Sequence, residues 1–86
     1  MRETWIIGIH IPERSEKIEE IQNVLTKFGC SIRTRLGLHK PVESNGTGEG
    51  TILLELAGDP VEFRKLERSL KGIPGLEVKK MVFKQG

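Results

Sequence analysis

The sequence contains no tyrosine, a single tryptophan (Trp5) and three phenylalanines. Surfaces that bind RNA by stacking its bases need aromatics at set places, and few are present here. One cysteine, Cys30, stands alone in the chain. It excludes an intrachain disulfide and points to a reducing, cytoplasmic setting. No apolar run approaches the ~20 residues that a membrane-spanning helix needs. The opening MRETWIIGIHIPER is interrupted by Glu3 and His10 and is followed by no small-residue cleavage site, so it does not read as a signal peptide. An excess of one charge is also missing. Fourteen basic residues face 12 acidic ones, for a net charge of +2, which argues against an electrostatic nucleic-acid binder. No helix-turn-helix, ribbon arm or basic helix is visible.

What remains is a short, patterned chain. Its 86 residues fit one domain, spanning 1–86. A domain of this size buries only ~60% of its unfolded surface, so a thin core and self-association, as a dimer or tetramer, are expected.

TWIIGIHI (4–11) is β-branched and apolar on both parities, with Trp5, Ile7 and Ile9 on one face and Ile6 and Gly8 on the other. That is the pattern of a central strand, and Pro12 ends it. Ser15 is the expected N-cap of a helix whose stripe is Ile18, Ile21, Leu25 and Phe28, with Gly29 as its stop. IRTRLGLH (32–39) alternates as a half-buried strand, and TILLEL (51–56) is a third strand after a glycine-studded connection. Asp59, Pro60 and Glu62 combine a capping box with proline at the first helical position. Phe63, Leu66 and Leu70 supply that helix's buried stripe, Gly72 closes it, and Pro74-Gly75 turns the chain. The last strand is expected over 76–83. Its alternation is broken by Lys80, which shares the register of Leu76, Val78 and Val82, so a bulge or an exposed end is predicted there.

The element order βαββαβ predicts an α+β, ferredoxin-like sandwich, with four antiparallel strands in the order 4-1-3-2 and both helices on one face. The uncovered face is then the place for an interface. If Ile32 and its even-numbered mates point to the helices, Arg33, Arg35 and His39 point to the open face.

The candidate ligand-binding residues are His10, Arg14, Arg33, Arg35, His39, Gly48 and Gly50. Arg33 and Arg35 on one face would clamp a carboxylate, although pairing with Glu55 is the commoner arrangement for such residues. His10 and His39 fall at the same end of the sheet, two strand spacings or roughly 10 Å apart. That is too far for one metal within a subunit, so no metal site is expected unless a dimer brings symmetry-related histidines together. The glycines of ESNGTGEGT precede a strand rather than a helix N-terminus, and Glu43 and Glu49 would repel an anion, so the loop reads as a long hairpin connection or a flap rather than a phosphate cradle. Cys30 follows a helix C-terminus, where the dipole has the wrong sign to activate a thiol, and reads as a small half-buried residue. No constellation of nucleophile, base and orienting acid is flagged, so catalysis is not expected.

NVLTKFGCSI (23–32) resembles the junction of helix 1 and strand 2 in ACT domains, which are small regulatory modules that bind ligands. RLGLH followed by a polar loop and GTILLELAGDPVEFRKLERSLKGIPGLEVKKMVF resembles, over nearly the whole chain, a group of short proteins named as iron-only hydrogenase system regulators. LELAGD and its following helix are also similar to the C-terminal domain of nickel-responsive repressors. The resemblance implies a non-enzymatic ACT-like module that acts as a homo-oligomer, responds to a small-molecule effector and works with a hydrogenase system. It names no cofactor. The repressors' two strand-3 histidines and pre-helix cysteine are replaced here by TILLEL and Ala57-Gly58, so their nickel site is not implied.

Overall fold

The computed structural model describes residues 2–11, 17–39 and 50–85. The described elements run β1 (Arg2–Ile11), α1 (Lys17–Lys27), a 3-10 turn (Gly29–Ser31), β2 (Ile32–His39), β3 (Gly50–Leu56), α2 (Pro60–Lys71) and β4 (Glu77–Gln85). The strands form one sheet in the order β2-β3-β1-β4, which is the expected order read from the other edge. All neighbours are antiparallel.

Side chains alternate across β1 as a pleated strand requires. Trp5, Ile7, Ile9 and Ile11 are buried, and Thr4, Ile6, Gly8 and His10 face the other way. On β3 the buried set is Ile52, Leu54 and Leu56. These two rows meet Ile21 and Leu25 of α1 and Phe63, Leu66 and Leu70 of α2 in one core, closed by Phe28 and Ile73. Val24, Ile32, Leu76 and Val78 pack against its margin. Full burial of each such side chain contributes about 1.5–3 kcal/mol, so this single layer between sheet and helices supplies most of the driving force.

The start of α2 follows from its residues. Asp59 has extended backbone angles and its carboxylate accepts the Val61 N–H at 2.9 Å. Pro60 follows at the first helical position, where a missing N–H costs nothing. Two glycines are required by the backbone: Gly58, before the cap, at φ +118°, and Gly75, in the turn before β4, at φ +85°.

The structure corrects several expectations. Ile18, assigned to the buried stripe of α1, is 37% exposed. It sits one residue into the described helix, and the core contacts begin a turn later at Ile21. The N-cap expected at Ser15 lies outside the described residues. Gly29 does not end α1 with a left-handed residue. The chain tightens into a 3-10 turn instead, in which the Ser31 N–H donates to the Phe28 carbonyl at 2.9 Å. Cys30, in this turn, is exposed rather than half-buried.

Of the two outcomes expected at Lys80, the structure has the exposed end, with residues 79–84 all exposed, and no bulge. The β1–β4 register is continuous, with Lys80 opposite Ile7 and therefore on the helix side. Its ammonium lies 4.4 Å from the centroid of the Trp5 ring and donates to Glu67 Oε1 of α2 at 3.0 Å. The ammonium itself lies over the indole and finds an acid beside it, so a position of apolar parity tolerates the lysine. The register break lies in β2, between Ile32 and Thr34.

Candidate functional site

The sheet face away from the helices is the surface where chemistry-bearing side chains converge. Partners opposed in the register share a face, so rows can be read across the strands. The first row brings His10 between Thr51 and Glu77. Below it, Leu36, Leu53, Gly8 and Lys79 lie side by side, and then Thr34, Glu55, Ile6 and Met81. Thr4 and Phe83 follow, and Arg2 of β1, opposite Gln85, ends the face. A diagonal of apolar groups thus crosses the sheet from Leu36 through Leu53 and Ile6 to Met81 and Phe83. Leu36, Met81 and Phe83 are 51%, 56% and 53% exposed. Gly8 lies within this diagonal, and the Leu53 side chain fills the space over it, with Cδ2 3.5 Å from where a Cβ would stand.

The two arginines of β2 separate, which corrects the expected clamp. The bulge sets both Arg33 and Thr34 beside Glu55 and shifts every later residue to the opposite parity. Arg33 Nη1 lies 3.8 Å from Glu55 Oε2, and the Thr34 hydroxyl donates to Glu55 Oε1 at 2.9 Å. Arg35 is opposite the buried Leu54 and donates from Nη1 to Gln22 Oε1 of α1 at 3.1 Å, on the helix side. The two arginines therefore serve different faces, and the pairing with Glu55 is made by Arg33 alone.

His10 Nδ1 and Thr51 Oγ1 stand 3.1 Å apart on the open face. Gly50 is buried at the start of β3, opposite Ile11 and His39. The register keeps His39 two strands from His10, as the topology predicts. Arg14, Gly48 and the His39 side chain lie outside the described residues. Among the described residues no group of three histidine, cysteine or acidic side chains is placed to hold a metal ion. No described helix is long and apolar enough to cross a membrane. Trp5, the sole strand-1 aromatic, is buried beneath the helices, where it cannot stack on a base.

Glu77, Lys79, Met81 and Phe83 were not among the expected site residues. Their signal was present in the sequence, since they are the odd-numbered residues of β4 and the complement of the Lys80 parity. Trusting the parity through Lys80 would have found them.

On the helix side, Glu67 binds two lysines. Lys80 Nζ is 3.0 Å from Oε1 and Lys71 Nζ is 3.2 Å from Oε2, and the Glu67 side chain is 12% exposed. Burial alone would push this carboxyl up, but hydrogen bonds and charge from Lys80 and Lys71 outweigh it and hold the carboxyl below its usual range. A depressed acid stabilises the fold above its unfolded value and loses that contribution as pH falls through its folded value. Glu67→Gln is therefore expected to lower stability at pH 7. The gap from the unsubstituted protein should close as pH falls below the ordinary carboxylate range of about 4. Urea titrations at neutral and acid pH check it, and a gap that is unchanged at acid pH would remove the ionic account.

No protein-family model matches the chain, and no curated protein matches it. Solved structures do. An uncharacterized protein of Thermotoga maritima is 25% identical, with a TM-score of 0.80 over 98% of this chain and 100% of its own. The ACT domain of a GTP pyrophosphokinase from Chlorobium tepidum is 19% identical, with a TM-score of 0.67 over 94% of this chain and 100% of that domain. A protein of Thermus thermophilus described as PII-like and signalling is 15% identical, with a TM-score of 0.52 over 95% of this chain and 85% of its own. The order of elements, the sheet topology and these likenesses together establish an ACT-like, ferredoxin-like α+β fold.

Proposed function

We propose that this chain is one ACT-like domain over residues 1–86, a non-enzymatic regulatory module that senses a small-molecule effector and acts as a homo-oligomer in the cytoplasm. The observation that carries the reading is the open sheet face. An apolar diagonal there is bordered by polar groups, with His10, Thr51 and Glu77 at one end and Glu55, Thr34 and Arg33 at the other. A surface of that composition suits a partner molecule better than water. The effector site belongs at the end of β1, by His10 and near the connection that leads into Gly50. The resemblance to iron-only hydrogenase system regulators supplies the process in which such a module would act.

We read the described face as a binding surface rather than a catalytic one. Its acidic groups stand beside basic ones, as in Arg33–Glu55 and Glu77–Lys79, both at 3.8 Å. The Thr51 hydroxyl stands 3.1 Å from His10 Nδ1, and we read that contact as part of the effector site rather than as a nucleophile with its base.

Native mass spectrometry of the purified protein, with no ligand added, tests the reading. The expected result is an oligomer carrying extra mass, which would identify the effector by weight. An empty monomer would sink the sensing reading and leave an adaptor that folds onto another protein.

A further inference from the structure

The proposed self-association has two geometric routes: through a free sheet edge, β2 or β4, or through the open face. Both edges are obstructed. β4 carries Lys79, Lys80 and Lys84, and Lys80 points toward the helices, tied to Glu67 at 3.0 Å. β2 is bulged between Ile32 and Thr34 and carries Arg33 and Arg35. Inward-pointing lysines, edge charges and bulges are the devices by which sheets refuse another strand.

The open face has the opposite character. Its strands, about eight residues long at ~3.3 Å each and spaced ~4.8 Å, present roughly 500 Å² in projection. The accessible area is larger and approaches the roughly 800 Å² that each partner contributes to a standard interface. Four charges on this face pair off, Glu55 with Arg33 on one side of the apolar diagonal and Glu77 with Lys79 on the other, and Arg2 at the far end of β1 adds one more. A single excess charge at one corner offers little net field to a nucleic acid or to an acidic or basic peptide. The paired pattern is complementary to itself. A two-fold axis along the diagonal keeps apolar groups against apolar groups and carries Lys79 of each copy toward the Glu55 side of the other.

We infer that the open face is the interface with a second copy of this chain, the two sheets stacked face to face with Leu53 and Ile6 near the centre and Leu36, Met81 and Phe83 around them. The inference rests on the reading of the chain as an oligomeric module and specifies which surface makes the oligomer. It also places His10 and Thr51 at the rim of the contact, where an effector bound beside them would touch both copies.

Analytical ultracentrifugation of the full chain over a wide concentration range tests the inference, with Met81→Glu and Leu36→Glu as separate variants. Both side chains are already about half exposed in the monomer, so circular dichroism should show the fold unchanged. The unsubstituted protein is expected to be a dimer, and each glutamate should weaken it by about 100-fold or more, because an unpaired carboxylate would be buried. A dimer indifferent to both substitutions would overturn the face-to-face inference and leave the oligomeric module standing, with its contact at an edge. A protein that stays monomeric into the high micromolar range would remove both.

Discussion

Phe63→Ala is expected to destabilise the protein by about 3–5 kcal/mol, in line with other large-to-small changes at fully buried aromatics. Phe63 has no exposed surface, and its ring centroid lies 5.6 Å from that of Trp5 at an interplanar angle of 59°. It enters the core from the first turn of α2, fixed there by the Asp59 cap and Pro60. The surrounding residues come from both helices and the two central strands, so the structure has little means of closing over the cavity. A chain of this size has a total stability of about 5–10 kcal/mol, and the loss corresponds to a fall in Tm of roughly 15–25 °C. Phe83→Ala is the matched control. The same chemistry is removed from a side chain that is 53% exposed on the open face, and in the monomer the cost should stay under about 1 kcal/mol. Urea unfolding of both variants decides it. Equal losses at the two phenylalanines would mean that the core is not where β1 and α2 meet.

The fold was legible because its signals are local and repeated. Asp59-Pro60 marks the start of α2 within one residue, and the odd-numbered residues from Trp5 to Ile11 mark the buried face of β1 without exception. The site was less legible, and two residues explain why. The alternation of IRTRLGLH predicts one face for Arg33 and Arg35, but a bulge of one residue reverses every side chain that follows it. Nothing in Arg33 or Thr34 announces the break. Glu55 is what favours it, since its carboxylate takes both the Thr34 hydroxyl and the Arg33 guanidinium, and that partnership exists only once β2 and β3 are paired. Lys80 leaves a choice open. Its break in the alternation of β4 suggests a bulge or an exposed end and cannot choose between them, because the indole and the carboxylate that accommodate it lie elsewhere in the sequence, at Trp5 and Glu67.

The same contact yields the last expected result. Trp5→Ala should cost about 3–5 kcal/mol, and beyond the cavity it should change what Lys80 does. In the native protein the Lys80 ammonium stands 4.4 Å from the indole centroid and bonds Glu67, while the indole N–H donates to Glu3 Oε1 at 2.9 Å. Trp5 is thus a platform that makes a helix-side lysine tolerable. Without it, the ammonium loses the ring it faces. A double-mutant cycle between Trp5→Ala and Lys80→Ala is expected to give a coupling of about 0.5–1 kcal/mol, the range for a cation–π contact at a partly exposed site. Screening by water keeps the value small, since the Lys80 side chain remains 38% exposed. A cycle in which the two changes simply add would mean that Glu67 alone holds Lys80 in place. Glu67→Gln in the Trp5→Ala background separates these cases, because the second substitution should then remove nearly all that still distinguishes Lys80 from a freely solvated lysine.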